Sequence, residues 1–254
     1  MTNINQYPDK EKLIKICKSF ETEEISLTAI CKEKNIPICN CNAVGDILED
    51  VFYSLIKEQI VDFEKGPKQF PPDYYVYGLN EKFEFEQKVF MKSPGFDIGN
   101  FTSYVNMLCE EGGVFKKLFK TKYLVFEYEI IDKKIKIIKF HYLNVYNLVG
   151  NKTDSSAIQI QKKKKIWYNI RPGSKNSWYC LTKNPQSFID GIVNRINDCP
   201  HIEDKVQKIE NIEIQFENIK KQFDINNYVL SSNKLIGNIV EVDQITIKLE
   251  KLIV

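Results

Sequence analysis

The chain has no apolar run long enough to cross a bilayer: its longest stretches, such as "YLVF", fall far short of the roughly 20 residues a membrane helix needs. It is also poor in histidine, with two in 254 residues. His141 falls in a strand pattern and reads as a packed or surface residue, His201 stands alone after a proline, and a Cys–His nucleophile pair finds no support. Net charge is scarce as well: 36 basic residues nearly balance 34 acidic ones, leaving +2. Overall charge therefore demands no polyanionic partner, and any such surface must be local. The opening "MTNINQYPDKEK" lacks the basic start, apolar stretch and small-residue cleavage site of a signal peptide, so a cytoplasmic chain is expected. Seven cysteines, an odd number, would be reduced there and build no disulfide framework. Cys17, Cys31, Cys39 and Cys41 lie close in sequence, but "CNC" lacks the spacing of a zinc knuckle, which favours buried thiols over a zinc site.

What is present is ordinary for a globular protein, with 43% hydrophobic and 28% charged residues. Apolar residues at helical spacing (Leu13, Ile16, Phe20, then Leu27, Ile30) predict two short helices before residue 33, and "SLTAICKEKNIP" resembles half of a helix-turn-helix, with Ser26 as N-cap and Pro37 as stop. A longer stripe, Val44, Ile47, Leu48, Val51, Phe52, Leu55, Ile56 and Ile60, predicts an amphipathic helix whose other face carries Asp46, Glu49 and Asp50. The period then changes to two, and "YYVYG", "LNEK" and "FEFEQKVF" read as strand, turn and strand. A glycine-bearing loop, "SPGFDIGNF", leads to a helix from Thr102 to about Cys109. Further strands are expected in "KYLVFEYEII", "KIKIIKFHYLNVYNLV" and "AIQIQKKKKIWYNI", followed by a helix from about Pro185 to Ile196. The end of the chain shows a heptad-like Val206, Ile209, Ile212 and strand alternation around Val240 to Leu249. No internal repeat or low-complexity linker divides the sequence; the expected organisation is a helical extension over 1–42, a core over 43–200 and, over 201–254, either an appendage or an edge of the core.

The hairpin holds the chemistry. Residues two apart on a strand share a face, so Glu84, Glu86 and Lys88 project together. With a four-residue loop from Leu79 to Lys82, Gly78 pairs with Phe83, and continuing that register places Asp73 opposite Lys88, roughly 5 Å away. Two carboxylates and an ammonium so arranged suit metal-assisted phosphodiester hydrolysis. Asp73, Glu86 and the backbone carbonyl of Gln87 offer hard oxygen ligands to Mg²⁺, while Lys88 orients water and offsets charge on the phosphate. An acid-x-Lys triplet also arises often by chance on a solvated strand face, and Glu84 competes with Glu86.

"PPD", a strand and "FEQKVF" resemble the Pro-Asp…(Asp/Glu)-x-Lys nuclease core. "PDYYVYG", "FEQKVF", "SPGFDIGNFTSY", "KYLVFEYEI", "NVYNLVG" and "IQIQKKKKIWYNIRPG", in this order from about Gly45 to Pro172, are similar to the restriction endonuclease family that includes NgoBV-type enzymes. The resemblance implies an α/β fold with a mixed central sheet flanked by helices and additions at both ends. It implies Asp73 and Glu86 as metal ligands, Lys88 as catalytic lysine, and Glu49, with Asp46 next, as the assisting helix acid. Gln87 departs from the family pattern, which has an apolar residue there. The implied reaction is Mg²⁺-dependent cleavage of double-stranded DNA at a short sequence by a homodimer, with a cognate DNA methyltransferase in the same system. A structure-specific repair or recombination nuclease and a non-catalytic DNA-binding protein are the competing readings.

For DNA contact, Lys92, Asn100, Ser103 and Tyr104 surround the glycine-bearing loop, whose Phe96, Ile98 and Phe101 would anchor it. "QKKKKIWYNIRPGSK" adds Lys163, Lys165, Arg171 and Lys175 beside Trp167 and Tyr168. A lysine run also serves to keep an edge strand soluble.

Overall fold

The stripe beginning at Val44 folds into a helix over Cys41–Lys57. Val44, Leu48, Phe52 and Ile56, spaced four apart, are all fully buried, whereas Leu55, off that line, is exposed. In the computed structural model the described residues are 8–222, apart from 27, 32–33, 38–40, 68–70, 78–81, 165 and 181. In chain order the elements are α1 (Pro8–Ser19), β1 (Glu24–Ile25), β2 (Thr28–Cys31), β3 (Lys34–Pro37), α2 (Cys41–Lys57), β4 (Phe63–Lys65), β5 (Tyr74–Tyr77) and β6 (Lys82–Phe90). Then come β7 (Gly99–Asn100), α3 (Phe101–Cys109), α4 (Gly113–Phe115), β8 (Thr121–Ile131), β9 (Lys134–Leu143), α5 (Val145–Leu148), β10 (Gln159–Lys163), β11 (Ile166–Arg171), α6 (Pro185–Asp198) and α7 (Lys205–Gln222).

These elements form two compact units, and both are discontinuous in sequence. The first comprises the described parts of Met1–Ser93 with Lys122–Leu143; the second, those of Pro94–Thr121 with Asn144–Val254. The expected linear division at residues 42 and 200 therefore differs from the contact pattern. β1 pairs with β9 in the first unit, and α7 bonds to α3 in the second through Asn211 Nδ2 to the Cys109 carbonyl (3.2 Å) and Gln215 Nε2 to the Leu108 carbonyl (3.1 Å).

The first unit is built on a six-stranded sheet in the order β1-β9-β8-β6-β5-β4. β8 is buried over its first eight residues, as an inner strand covered on both faces should be, and it neighbours β6. β8 and β9 turn on Asp132 and Lys133, both left-handed (φ 50° and 64°), the backbone that a two-residue hairpin loop requires. α2 is attached to the sheet by aromatic contact: the Phe52 ring lies 4.4 Å from Phe126 and 4.8 Å from Phe20, and Phe126 lies 5.1 Å from Phe140. Each such buried ring contributes about 1.5–3 kcal/mol from surface removed from water.

The second unit has a three-stranded sheet, β10-β11-β7, with α3, α6 and α7. α6 begins at a capping box, Asn184 accepting from the Ser187 amide at 2.9 Å, with Pro185 at the first helical position. α7 buries Ile212, Phe216 and Ile219, while Val206 is exposed, so its apolar face lies one step along from the expected heptad.

Three expectations are corrected. The helix-turn-helix half is a hairpin, β2 on β3, because short apolar runs carry no helical period strong enough to exclude a strand. "AIQIQKKKKIWYNI" is two strands, not one, with a bulge between Ile160 and Lys162. "NVYNLV" leaves β9 and makes the short α5, where Asn144 and Asn147 satisfy each other's backbone amides. The strand expected around Val240 to Leu249 lies outside the described residues.

One glycine fixes the approach of β4 to the start of β5. Gly66 N donates to the Asp73 carbonyl at 2.7 Å, and a Cβ on Gly66 would sit 1.7 Å from the Pro72 carbonyl oxygen. Backbone cannot yield as a side chain does. Gly66→Ala is therefore expected to destabilise the protein by about 1–3 kcal/mol, read as a lowered melting temperature, and to weaken any function of Asp73 at the same time.

Candidate active site

β5 and β6 are antiparallel, with Tyr74 opposite Phe85, Tyr75 opposite Glu84, Val76 opposite Phe83 and Tyr77 opposite Lys82. The expected register, Asp73 opposite Lys88, is off by two residues because Lys82 is a strand residue paired with Tyr77, not the end of the turn. A two-residue slip keeps every side chain on its face. Asp73, just before β5, still faces the side of Glu86 and Lys88, now at the level of Glu86.

Lys88 joins the two acids. Its Nζ lies 3.3 Å from Glu86 Oε2 and 3.8 Å from Asp73 Oδ2. Asp73 Oδ2 also accepts from the Gln87 backbone amide at 2.6 Å, a charge-assisted bond that fixes the carboxylate against β6. Glu86 is 5% exposed. Burial pulls the Lys88 pKa down, but the Glu86 and Asp73 carboxylates outweigh it and hold the net value above the ordinary lysine range. Lys88 thus stays an ammonium. Glu84 lies one pleat further along, opposite Tyr75.

The opposite face of β6 explains the polar Gln87. Gln87 is 7% exposed, and its Oε1 lies 2.9 Å from the Tyr74 hydroxyl. The same hydroxyl reaches the Glu49 backbone carbonyl on α2 at 3.0 Å, so its one proton is shared between two acceptors. Burial, then the charges of Glu49 and Asp73, pushes the Tyr74 pKa far up, which keeps the hydroxyl a donor. Tyr74, missed from the sequence as another aromatic in a strand, thereby ties β5 to β6 and to the helix that carries Glu49.

Glu49 is half-buried, and its carboxyl pKa is raised, first by burial and then by the Asp73 charge, with Lys65 opposing. Lys65 Nζ lies 3.8 Å from Glu49 Oε1 and is bonded to Asp50. Asp46, the second choice on this helix, is exposed. Among the described residues no group of three or more His, Cys, Asp or Glu side chains is arranged to hold a metal ion. The oxygens available at Lys88 are two carboxylates, which fits a hard divalent cation that keeps several waters.

The model of the NgoBV restriction endonuclease family matches residues 11–198. This chain belongs to the NgoBV restriction endonuclease family. It is 26% identical over 179 residues to the type II restriction enzyme NlaIV of Neisseria lactamica, covering 69% of this chain and 68% of that protein. The fold matches the solved NlaIV restriction endonuclease with a TM-score of 0.68 at 20% identity, over 85% of this chain and 91% of the other. The protein is thus a restriction endonuclease, a deoxyribonuclease on the α/β fold of that class. Among the described residues, no helix is long and apolar enough to cross a membrane.

For a restriction endonuclease the substrate is DNA, and the positions expected to meet it differ in their surroundings. Lys92 is exposed, with a left-handed backbone (φ 68°) just past β6. Asn100 and Ser103 are exposed but already engaged, Asn100 Oδ1 capping α3 by accepting from the Ser103 amide at 3.1 Å and its hydroxyl at 3.2 Å. Tyr104 is corrected: at 1% exposure, with its ring edge-on to Phe188 and Lys117 over its face, it is a core residue of α3, because position 104 follows Phe101 on the helix's apolar side. Lys163 is exposed, Lys175 half-buried, and Lys165 lies outside the described residues. The Arg171 guanidinium is paired with Asp97 at 3.1 Å and bonded to the Gly95 carbonyl, holding the 95–97 loop on β11. His141 is packed at 4% exposure and His201 is exposed. Cys17 is fully buried, and burial pushes its thiol pKa up; Cys39 lies outside the described residues.

Two results are expected in this nuclease. The Glu49 carboxyl, followed by carbon-13 NMR, should titrate above an ordinary glutamate; Asp73→Asn should lower its midpoint by removing a repelling charge, and Lys65→Ala should raise it. Tyr74→Phe leaves the buried Gln87 oxygen without its donor and should cost about 1–3 kcal/mol of stability, seen in denaturant unfolding.

Proposed function

We propose that this restriction endonuclease hydrolyses both strands of duplex DNA at a short specific sequence in a Mg²⁺-dependent reaction. The observation that carries the reading is the shared ammonium: Lys88 within 3.3 Å of Glu86 and 3.8 Å of Asp73 on one strand face. Asp73, Glu86 and the Gln87 backbone carbonyl would hold the Mg²⁺. When bound, that ion supplies Lewis-acid polarisation of the phosphate and a more acidic water.

The protein's own groups do the rest. Asp73 is oriented by the Gln87 amide, which fixes the same oxygen, Oδ2, that lies 3.8 Å from Lys88 Nζ. Lys88 donates hydrogen bonds from an ammonium that keeps its proton, orienting the attacking water and offsetting the negative charge that builds on the phosphorane-like transition state. Water attacks phosphorus directly and gives its proton to solvent; the P–O bond opposite it breaks, the leaving oxygen takes a proton from another water, and no covalent enzyme intermediate forms. Glu49, whose carboxyl pKa is raised beside Asp73, accepts a proton more readily than an ordinary surface glutamate and serves as the assisting acid of the helix. The type II restriction enzyme NlaIV is the relative whose described class matches this reaction. Cutting both strands of a two-fold symmetric site is the work of a homodimer. A DNA methyltransferase of the same specificity would protect the host. Lys92, Asn100, Ser103, Lys163, Lys165, Arg171 and Lys175 are the proposed DNA-facing positions, the lysines for phosphates.

Incubation of purified protein with unmethylated phage DNA and Mg²⁺ tests this. Discrete fragments are expected from wild type, with cleavage reduced at least about a hundredfold in Lys88→Ala and Glu86→Gln, and largely kept in Glu84→Gln. No fragments from varied DNAs, or equal cutting by Lys88→Ala, would refute the assignment.

A further inference from the structure

Residues 155–189 contain no Asp or Glu, in a chain that has 34 of them, and this stretch includes the β10–β11 ribbon. Local positive charge is therefore uncompensated by sequence neighbours there. The two faces of the ribbon differ. Trp167 is 8% exposed and packs on Phe101, ring centres 5.7 Å apart, and Ile170 is fully buried. β7 anchors the same strand, with Asn100 opposite Asn169 and Gly99 opposite Ile170. Ile166 and Tyr168, on either side of Trp167 and so on the other face, are 49% and 37% exposed. Lys163 pairs directly with Ile166, and its Nζ lies 5.2 Å from the centre of the Tyr168 ring. On the Trp167 side, Lys162 lies 4.4 Å from that ring's centre. Lys164 continues from Lys163 with a left-handed backbone, φ 48°.

A strand that needs only to stay soluble needs only the lysines. Here a large aliphatic and an aromatic side chain stand open among them, on a ribbon fixed at its base by Phe101 and β7. Cations at the edges and apolar surface between them match duplex DNA, with phosphates flanking a groove floored by bases. The major groove admits a two-stranded ribbon, and its floor offers apolar contact at the thymine methyl. We propose that the β10–β11 ribbon enters the major groove of the DNA, Lys163 and Lys164 lying on phosphates and Ile166 and Tyr168 against base edges. The proposal rests on the reading of the chain as a sequence-specific nuclease, and it makes the ribbon an element of specificity. Ile166 and Tyr168 set which sequence is favoured; the lysines set affinity for any sequence.

The test uses the full chain and a duplex spanning a mapped cut site, with Ca²⁺ in place of Mg²⁺ so that binding is read alone. Ile166→Ala and Tyr168→Ala should each weaken binding to that duplex about tenfold relative to an unrelated duplex, with the salt dependence unchanged. The double variant Lys163→Ala, Lys164→Ala should weaken both duplexes alike and reduce the slope of log K against log salt by about 2. Methylation at guanine N7, which lies in the major groove, should interfere with wild-type binding at positions where Ile166→Ala no longer discriminates. Thermal unfolding of each variant checks the fold. If the ribbon variants bind as wild type while Lys88→Ala still abolishes cleavage, the ribbon proposal falls and the nuclease reading stands. A change of salt slope alone in Ile166→Ala would also overturn it. A wild-type protein that neither binds nor cuts any duplex would remove the nuclease reading beneath it.

Discussion

The hydrogen bond from the Gln87 amide to Asp73 is the constraint on which the site depends. It spans 2.6 Å between the residue that precedes β5 and the middle of β6. The bond exists only in one pairing of the hairpin, the one that sets Tyr74 opposite Phe85. Once made, it brings the Asp73 carboxylate to Lys88 and leaves Asp73 and Glu86 sharing one cation. Gly66 works to the same end from the other side, since only a residue without a Cβ lets β4 bond to the Asp73 carbonyl beside the Pro72 backbone.

Gathering acids in a half-buried place is unfavourable unless something opposes their repulsion. Lys88 does so for Asp73 and Glu86; Lys65 does so in part for Glu49, whose carboxyl nonetheless stays harder to ionise than usual. The repulsion that the protein leaves uncancelled is of the kind that a divalent ion, if bound there, would relieve. The other face of β6 is arranged differently. There Phe83 and Phe85 are core residues, and the one polar side chain, Gln87, is satisfied by Tyr74, which also touches α2. The strand that carries Glu86 and Lys88 and the helix that carries Glu49 are thus joined through a single hydroxyl.

Much of this was legible in the sequence because alternation determines faces and faces survive errors of register. The period of two put Glu84, Glu86 and Lys88 on one side and Gln87 on the other, and a slip of two residues left that intact. The i, i+4 stripe of Val44, Leu48, Phe52 and Ile56 gave α2 and, with it, the position of Glu49. The turn between the hairpin strands was not legible: composition did not say whether Lys82 ended the loop or began β6, and the pairing of Asp73 shifted accordingly. Short segments failed for the same physical reason. β2 and β3 are held by pairing with each other and α5 by side-chain caps, and four residues carry too little periodicity to announce either. Tyr104 shows the converse, a polar-tipped ring beside surface residues that helix geometry turns into the core. Tyr74 acts through Gln87 and Glu49, far along the chain, and Gly66 through Pro72 and Asp73 across the loop that precedes β5, so nothing in their immediate sequence marks them.

The central claim is that Asp73 and Glu86, spaced by Lys88, form a divalent-cation site. Its most direct test is Mn²⁺ binding, followed by the loss of the free-ion paramagnetic resonance signal, in wild type, Asp73→Asn, Glu86→Gln and Glu84→Gln. The account predicts saturable binding that is lost in the first two variants and kept in the third. Wild-type binding that survives both Asp73→Asn and Glu86→Gln would contradict it.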